Sequence, residues 1–151
     1  MKDTVPMTAL HNALPDPEAY PQFYDGVPVK RGLAWVFDVV LIALLSVVLL
    51  PFTVFTAIFY FPAFMLVVGF LYRWVTLANR GATWGMRLMG VEIRDADGGA
   101  MSSPQAFLHV LGYSISIAVF PLALISAGLM LTTARGQGLT DHVLGTVALN
   151  R

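Results

Sequence analysis

Between Leu33 and Tyr72 the chain carries a single ionised side chain, Asp38. No other feature restricts the fold as strongly. About 20 apolar residues suffice to cross a hydrocarbon core as a helix, so a run of this length fits two crossings. Pro51, with Thr53 beside it, is the natural place to turn. The run therefore predicts a helical hairpin, with a first span over about 32–50 and a second over about 52–72. Pro62 is expected as a kink in the second span, relieved by neighbouring helices.

A third apolar segment, Phe107 to Leu131, is long enough to cross once with tilt and is interrupted by Pro121 and Gly128. Composition agrees with a membrane protein: 57% of residues are hydrophobic, 12% are charged, and the mean hydropathy is +0.72. The 151 residues leave room for one small bundle and no separate soluble domain. The expectation is a membrane domain over residues 29–151, preceded by a polar, proline-rich segment over residues 1–28. Nine basic and nine acidic residues cancel, so no basic excess points to nucleic acid. No cysteine is present, which excludes disulfides, thiolate metal sites and a cysteine nucleophile.

The leading segment contains Pro6, Pro15, Pro17, Pro21 and Pro28 and has no apolar core of the kind a cleaved signal needs. It reads as a mostly irregular lead-in, with Tyr20, Phe23 and Tyr24 suited to a headgroup surface or a partner.

Lys30 and Arg31 flank the first span, Arg73, Arg80, Arg87 and Arg94 follow the second, and the turn between the spans is uncharged. The positive-inside rule then places the N-terminus and the segment from Arg73 to Gln105 in the cytoplasm. Trp35, Tyr72, Trp74 and Trp84 fall where an aromatic belt would lie. A complete third crossing leaves Arg135, Asp141 and Arg151 outside, against the same rule. A re-entrant segment doubling back near Pro121 would return them inside, on arms too short to span. A single tilted crossing is expected, giving an all-α membrane protein with three transmembrane helices.

Between the second and third segments, "VEIRDADGGAMS" alternates apolar and polar residues and then reaches Asp97-Gly98, a pair favoured in tight turns. A short cytoplasmic β-hairpin is expected there. Before it, "TLANRGATWGMRLMG" mixes Leu77, Trp84, Leu88 and Met89 with Arg80 and Arg87, as an interfacial amphipathic segment does.

On a helix, Arg31, Ala34, Trp35 and Asp38 share one face. The seven-residue step sets Asp38 roughly 10 Å deeper than Arg31. A carboxylate at that depth has to face the bundle interior, take a proton or meet a cation, because exposure to lipid costs about 2.5 kcal/mol or more. Arg31 is two turns away on the same helix, so Arg73, Arg87 or Arg135 is the expected cation for Asp38. Asp141, early in a short helix after Gly136 and Gly138 with Thr140 as a candidate cap, suits either the helix dipole or a pairing with an intramembrane arginine.

The spacing Arg31-x-x-Ala34-x-x-x-Asp38, then Gly81-x-Thr83-x-Gly85 leading into "VEIRDADGG", then "LTDHVLGTVAL", resembles the RDD family of small bacterial membrane proteins. The resemblance covers nearly everything from Val29 onward. It implies that the arginine and two aspartates of the family name are here Arg31, Asp38 and Asp141. It also implies a multi-pass protein of the bacterial inner membrane, with ion or proton exchange suggested for some members. Two positions depart from the common pattern: Met86 stands where a lysine often follows the second glycine, and His109 where the third span often begins with an arginine. Both departures remove fixed positive charge.

Other motifs carry no chemistry. "GATWGMR" lacks the lysine and hydroxyl residue of a phosphate loop. "DADGG" lacks the remaining ligands of a calcium loop. His11, His109 and His142 have no metal-ligand spacing, and His109 fits a contact between helices. Ser114, Ser116 and Ser126 suit close helix approach and have no base beside them. No enzyme, cofactor or metal is expected. Two functions remain: proton or cation exchange by an oligomer through the Arg/Asp set, or a non-catalytic accessory or assembly subunit of a larger membrane complex. The bilayer is the first partner in both, with a homo-oligomer or larger complex as the second and any ion or small solute left unidentified.

Overall fold

The computed structural model describes residues 14–150. His11, Arg151 and the first half of the leading segment lie outside them. The described chain is mostly helical. Helix α1 spans Val27–Leu49, α2 Phe61–Arg80, α3 Trp84–Met89, α4 Ser103–Ala118, α5 Phe120–Thr132 and α6 Leu139–Leu144, with strands β1 Val91–Arg94 and β2 Val147–Asn150.

Two helices with their flanking turns are long and apolar enough to cross a membrane, Pro21–Thr53 and Thr56–Arg80. At 1.5 Å per residue α1 is about 35 Å long and α2 about 30 Å, enough for a hydrocarbon core of ~30 Å. The outer faces of both present apolar side chains, Val40, Leu44 and Val48 on one and Leu66 and Val67 on the other. That is the surface a bilayer solvates.

The span boundaries differ from those expected, for reasons proline explains. Pro28 lies in the first turn of α1 and Pro62 in the first turn of α2, where a missing N–H costs nothing and the fixed φ suits the helix. Pro62 therefore starts α2 and does not kink it. Short 3-10 turns at Leu50–Thr53 and Thr56–Tyr60 fill the gap, with Val54 and Phe55 in the left-handed region between them. The second helix begins later and runs on to Arg80, so Arg73 sits inside it and does not follow it.

The third segment is not one straight crossing. It breaks at Val119, and α4 and α5 are bent by 116°. Pro121 in the first turn of α5 again marks a helix start. Both ends of this bent pair reach the same end of the bundle. Trp74 Nε1, late in α2, donates to Ser103 O at the start of α4 at 3.2 Å, and the Gly136 carbonyl beyond α5 lies 3.4 Å from Arg31 Nη1 at the start of α1.

The expected hairpin is also corrected. Asp97-Gly98 does turn, with Asp95 Oδ1 accepting from the Asp97 and Gly99 N–H groups, but no second strand follows. Instead β1 pairs antiparallel with the C-terminal β2, in the register Val91↔Asn150, Glu92↔Leu149, Ile93↔Ala148, Arg94↔Val147. The alternation in "VEIR" marks a half-buried strand correctly, and its partner lies more than fifty residues away.

The larger buried cluster sits at this end of the bundle, with Ile42 and Ala57 buried farther along the spans. Val27, Leu77, Val91, Ile93, Met101 and Val110 form it, with Met86 packed alongside. Tyr24, expected at a headgroup surface or a partner, packs with Phe23 against Val147 and Leu149 of β2, and its hydroxyl donates to Pro15 O at 2.6 Å. Asn150 is tied to the same region, donating to the Gln22 and Asp25 carbonyls and accepting from Lys30 Nζ at 2.7 Å.

Candidate functional site

One face of α1 carries two carboxylate-centred ties. The deeper is Asp38, 2% exposed. Its Oδ1 accepts from Tyr72 Oη at 2.8 Å and from the Gly85 N–H at 3.0 Å, and its Oδ2 from Thr83 Oγ1 at 2.6 Å. Thr83 also caps α3, its hydroxyl oxygen accepting from the Met86 N–H at 3.2 Å. The Tyr72 hydroxyl in turn accepts from the Trp84 N–H at 3.1 Å.

This explains the loop spacing. Gly81 ends α2 in the left-handed conformation, and a Cβ there would stand 2.9 Å from Ile93 O. Gly85 lets α3 lie directly on α1: a Cβ would stand 2.3 Å from Ala34 O and 2.9 Å from Asp38 Oδ1. Ala34, small and fully buried, supplies the other half of that approach. The shared face of Arg31, Ala34 and Asp38 is thus the seat of α3, and at the end nearer the helix start Arg31 reaches α6.

No arginine is paired with Asp38 among the described residues, contrary to the expectation of Arg73, Arg87 or Arg135. Arg87 stacks on Trp84, its guanidinium carbon 5.8 Å from the ring centre. Arg135 lies in the turn beyond α5. Arg73 lies over Tyr113, 4.7 Å from its ring centre. Hydrogen bonds to a charged acceptor contribute about 1.5–3 kcal/mol each, so three of them offset the ~2.5–3.5 kcal/mol insertion cost of the acid without a counter-cation.

The second tie joins α1 to the C-terminal segment. Arg31 Nη1 donates to Asp141 Oδ2 at 2.6 Å, and the Gly138 N–H donates to the same oxygen at 3.0 Å. Asp141 Oδ1 meets His109 Nε2 at 2.9 Å and accepts from Thr146 Oγ1 at 2.8 Å. An ionised carboxylate only accepts, so His109 carries its proton on Nε2. Gly138, and not Thr140, is the N-cap of α6, and the Asp141 side chain reaches back to its N–H. The helix-cap and arginine-pairing readings of Asp141 are both realised, one on a shared oxygen. Burial by itself raises the Asp141 carboxyl, but the Arg31 charge and the His109 hydrogen bond outweigh it and hold the group well below the usual carboxylate range.

The His109 departure therefore still supplies a donor to Asp141, and Met86 adds to the apolar core. Of the four belt aromatics, Trp84 is largely exposed, Trp35 donates to the Tyr113 hydroxyl, and Tyr72 and Trp74 make the polar contacts above. Gly138 was legible only as part of a turn, and Thr146 carried no signal of its own in the sequence. Tyr72 was visible only as a belt residue.

Between α1, α2, α4 and α5 lies a cavity of about 410 Å³ with mainly apolar walls. Arg31, Asp38, Arg73, His109 and Asp141 all reach its lining. Ser126, also on the wall, accepts from the Leu139 N–H, while Ser114 and Ser116 bond back to their own helix. Among the described residues no cluster of side chains has the makings of a metal site. The RDD family model matches residues 26–145 of the chain. Among curated proteins and among solved structures, none matches it.

Proposed function

The chain belongs to the RDD family, and from that premise we propose that it serves as a non-catalytic accessory or assembly subunit of the bacterial inner membrane. In this reading Arg31, Asp38 and Asp141 brace the bundle and do not carry ions. The observation behind it is the near-complete occupation of both acids. Asp38 accepts three hydrogen bonds and Asp141 four, spread over every carboxylate oxygen. A carboxylate that loads and releases a cation needs vacant lone pairs, and these have donors built into the fold.

In the proposed topology α1 and α2 cross the bilayer, and α4 and α5, about 24 Å and 20 Å long, form a re-entrant pair too short to span. Lys30, Arg31, Arg80, Arg87, Arg94 and Arg135 then share the cytoplasmic side with both termini, which removes the conflict with the positive-inside rule. The outward apolar faces of α1 and α2 suit lipid and a second copy or a larger membrane complex.

Exchange of protons or cations is the second reading, favoured by the cavity onto which Asp38, His109 and Asp141 open. The two readings separate on purified protein in liposomes. The accessory reading predicts no proton or sodium flux that depends on Asp38, and an Asp38→Asn chain that inserts but unfolds more readily. Flux abolished by Asp38→Asn in a chain as stable as the parent would overturn it.

A further inference from the structure

Arg73 is a half-buried charge on the cavity wall that neither tie uses. It lies well inside α2, and its side chain turns back along the helix, as long helical side chains do, to a point where a Gly69 Cβ would stand 3.3 Å from Nη1. Gly69 leaves the space in which the guanidinium sits. One face of the guanidinium lies on the Tyr113 ring of α4, which Trp35 holds through the phenol oxygen. Nη2 is buried with no hydrogen-bond partner among the described residues, and no acid there lies within ion-pairing distance of it.

The other charged groups around the cavity are engaged. Arg31 and His109 are on Asp141, and Asp38 is on Tyr72, Thr83 and Gly85. Arg73 alone presents a cation, with donor capacity to spare, to a space walled by Leu77, Val110, Ile117, Ala123, Ala127 and Met130. A buried donor left without a partner is costly, and an ionisable side chain within a span is a candidate for function by default. The volume, about 410 Å³, falls within the range of small-molecule sites, roughly 300–1,000 Å³.

We propose that this cavity binds a single-chain amphiphile with an anionic head, the carboxylate or phosphate monoester pairing with Arg73 and the hydrocarbon chain lying along the α4–α5 wall. Cation and hydrocarbon are both required, since a free anion leaves the wall unfilled and a neutral chain leaves Arg73 unpaired. The site is independent of the bracing role of Arg31, Asp38 and Asp141, and its failure would leave that role untouched.

The test is equilibrium binding to the purified full chain in detergent micelles. Labelled palmitate should bind saturably at one site per chain. Hexadecanol, of the same chain length without the charge, should bind at least tenfold more weakly. Arg73→Gln should weaken palmitate at least tenfold and Arg73→Lys less, while Ala127→Phe, which fills the cavity and keeps the cation, should weaken both ligands. A single-chain phosphate monoester binding more tightly than palmitate would identify the head as phosphate, and the reverse as carboxylate. Hexadecanol matching palmitate on the unaltered chain overturns the proposal, whether or not Arg73→Gln folds. So does palmitate affinity unchanged by Arg73→Gln, absence of saturable binding, or competition by inorganic phosphate at the same concentration as the amphiphile.

Discussion

Gly85→Ala adds one methyl group at the tightest of the described glycines. The new Cβ would stand 2.3 Å from Ala34 O, against an ordinary C···O contact of about 3.4 Å. Helix α3 has to retreat by roughly 1 Å to restore that contact. The Gly85 N–H to Asp38 Oδ1 hydrogen bond, now 3.0 Å, then stretches beyond bonding range. Loss of a hydrogen bond to a charged acceptor costs about 1.5–3 kcal/mol, and overpacking costs typically ~1–3 kcal/mol. One shift produces both effects, so they overlap, and about 3 kcal/mol is the expected loss. Gly32→Ala, also adding a methyl to a helical glycine, is the control, because a Cβ at Gly32 meets nothing within 4 Å. Inside α1 that change should be neutral or stabilising by up to ~1 kcal/mol. Unfolding in detergent micelles, followed by the fluorescence of the three tryptophans, with Trp84 beside the site, measures both. Equal stability of Gly85→Ala and the parent, or equal effects of the two substitutions, would refute the close seating of α3 on α1.

Asp141 gives a pH signature. Its folded-state pKa is depressed, so its contribution is complete above the unfolded aspartate pKa of about 3.9 and is lost as pH falls toward the lower folded value. Denaturation of the parent at a series of pH values should show stability falling below pH ~4, and Asp141→Asn, weaker at neutral pH, should fall less over the same window. Arg31→Met and Asp141→Asn should each cost about 3–5 kcal/mol, and together less than their sum, in a double-mutant cycle of unfolding energies. In the cysteine-free chain, Asp97→Cys and Asn150→Cys should label with an impermeant maleimide from one side of the membrane, and Phe59→Cys, in the turn between the spans, from the other.

Much of this arrangement is legible in one sequence because it is local. Hydropathy marks the two apolar helices, the helical spacing puts Arg31, Ala34 and Asp38 on one face, and the family resemblance singles out the glycines at positions 81 and 85 without the close approach that they allow. What is not legible depends on contacts distant in sequence. The run "VEIR" says strand, but nothing local says that its partner is "VALN", so the adjacent turn is taken for a hairpin. Prolines 62 and 121 signal a break, and whether that break is a kink or a helix start depends on where the hydrogen-bond ladder begins. The partner of Asp38 is misjudged for an electrostatic reason. An intramembrane acid suggests a cation, yet hydroxyls and one backbone N–H satisfy it, and Arg31 is drawn to Asp141. Thr146 and Gly138 join the second tie only because α6 folds back on α4 and α5, within reach of the Arg31 side chain.

The central claim is that Asp38 holds α3 against α1 through Thr83, and a pair of double-mutant cycles on unfolding energy tests it most directly. Asp38→Asn combined with Thr83→Ala should show a coupling of about 1.5 kcal/mol or more, as expected for a hydrogen bond to a charged group, and a larger coupling than Asp38→Asn combined with Arg73→Gln. Coupling to Thr83 indistinguishable from zero, alongside strong coupling to Arg73, would contradict it.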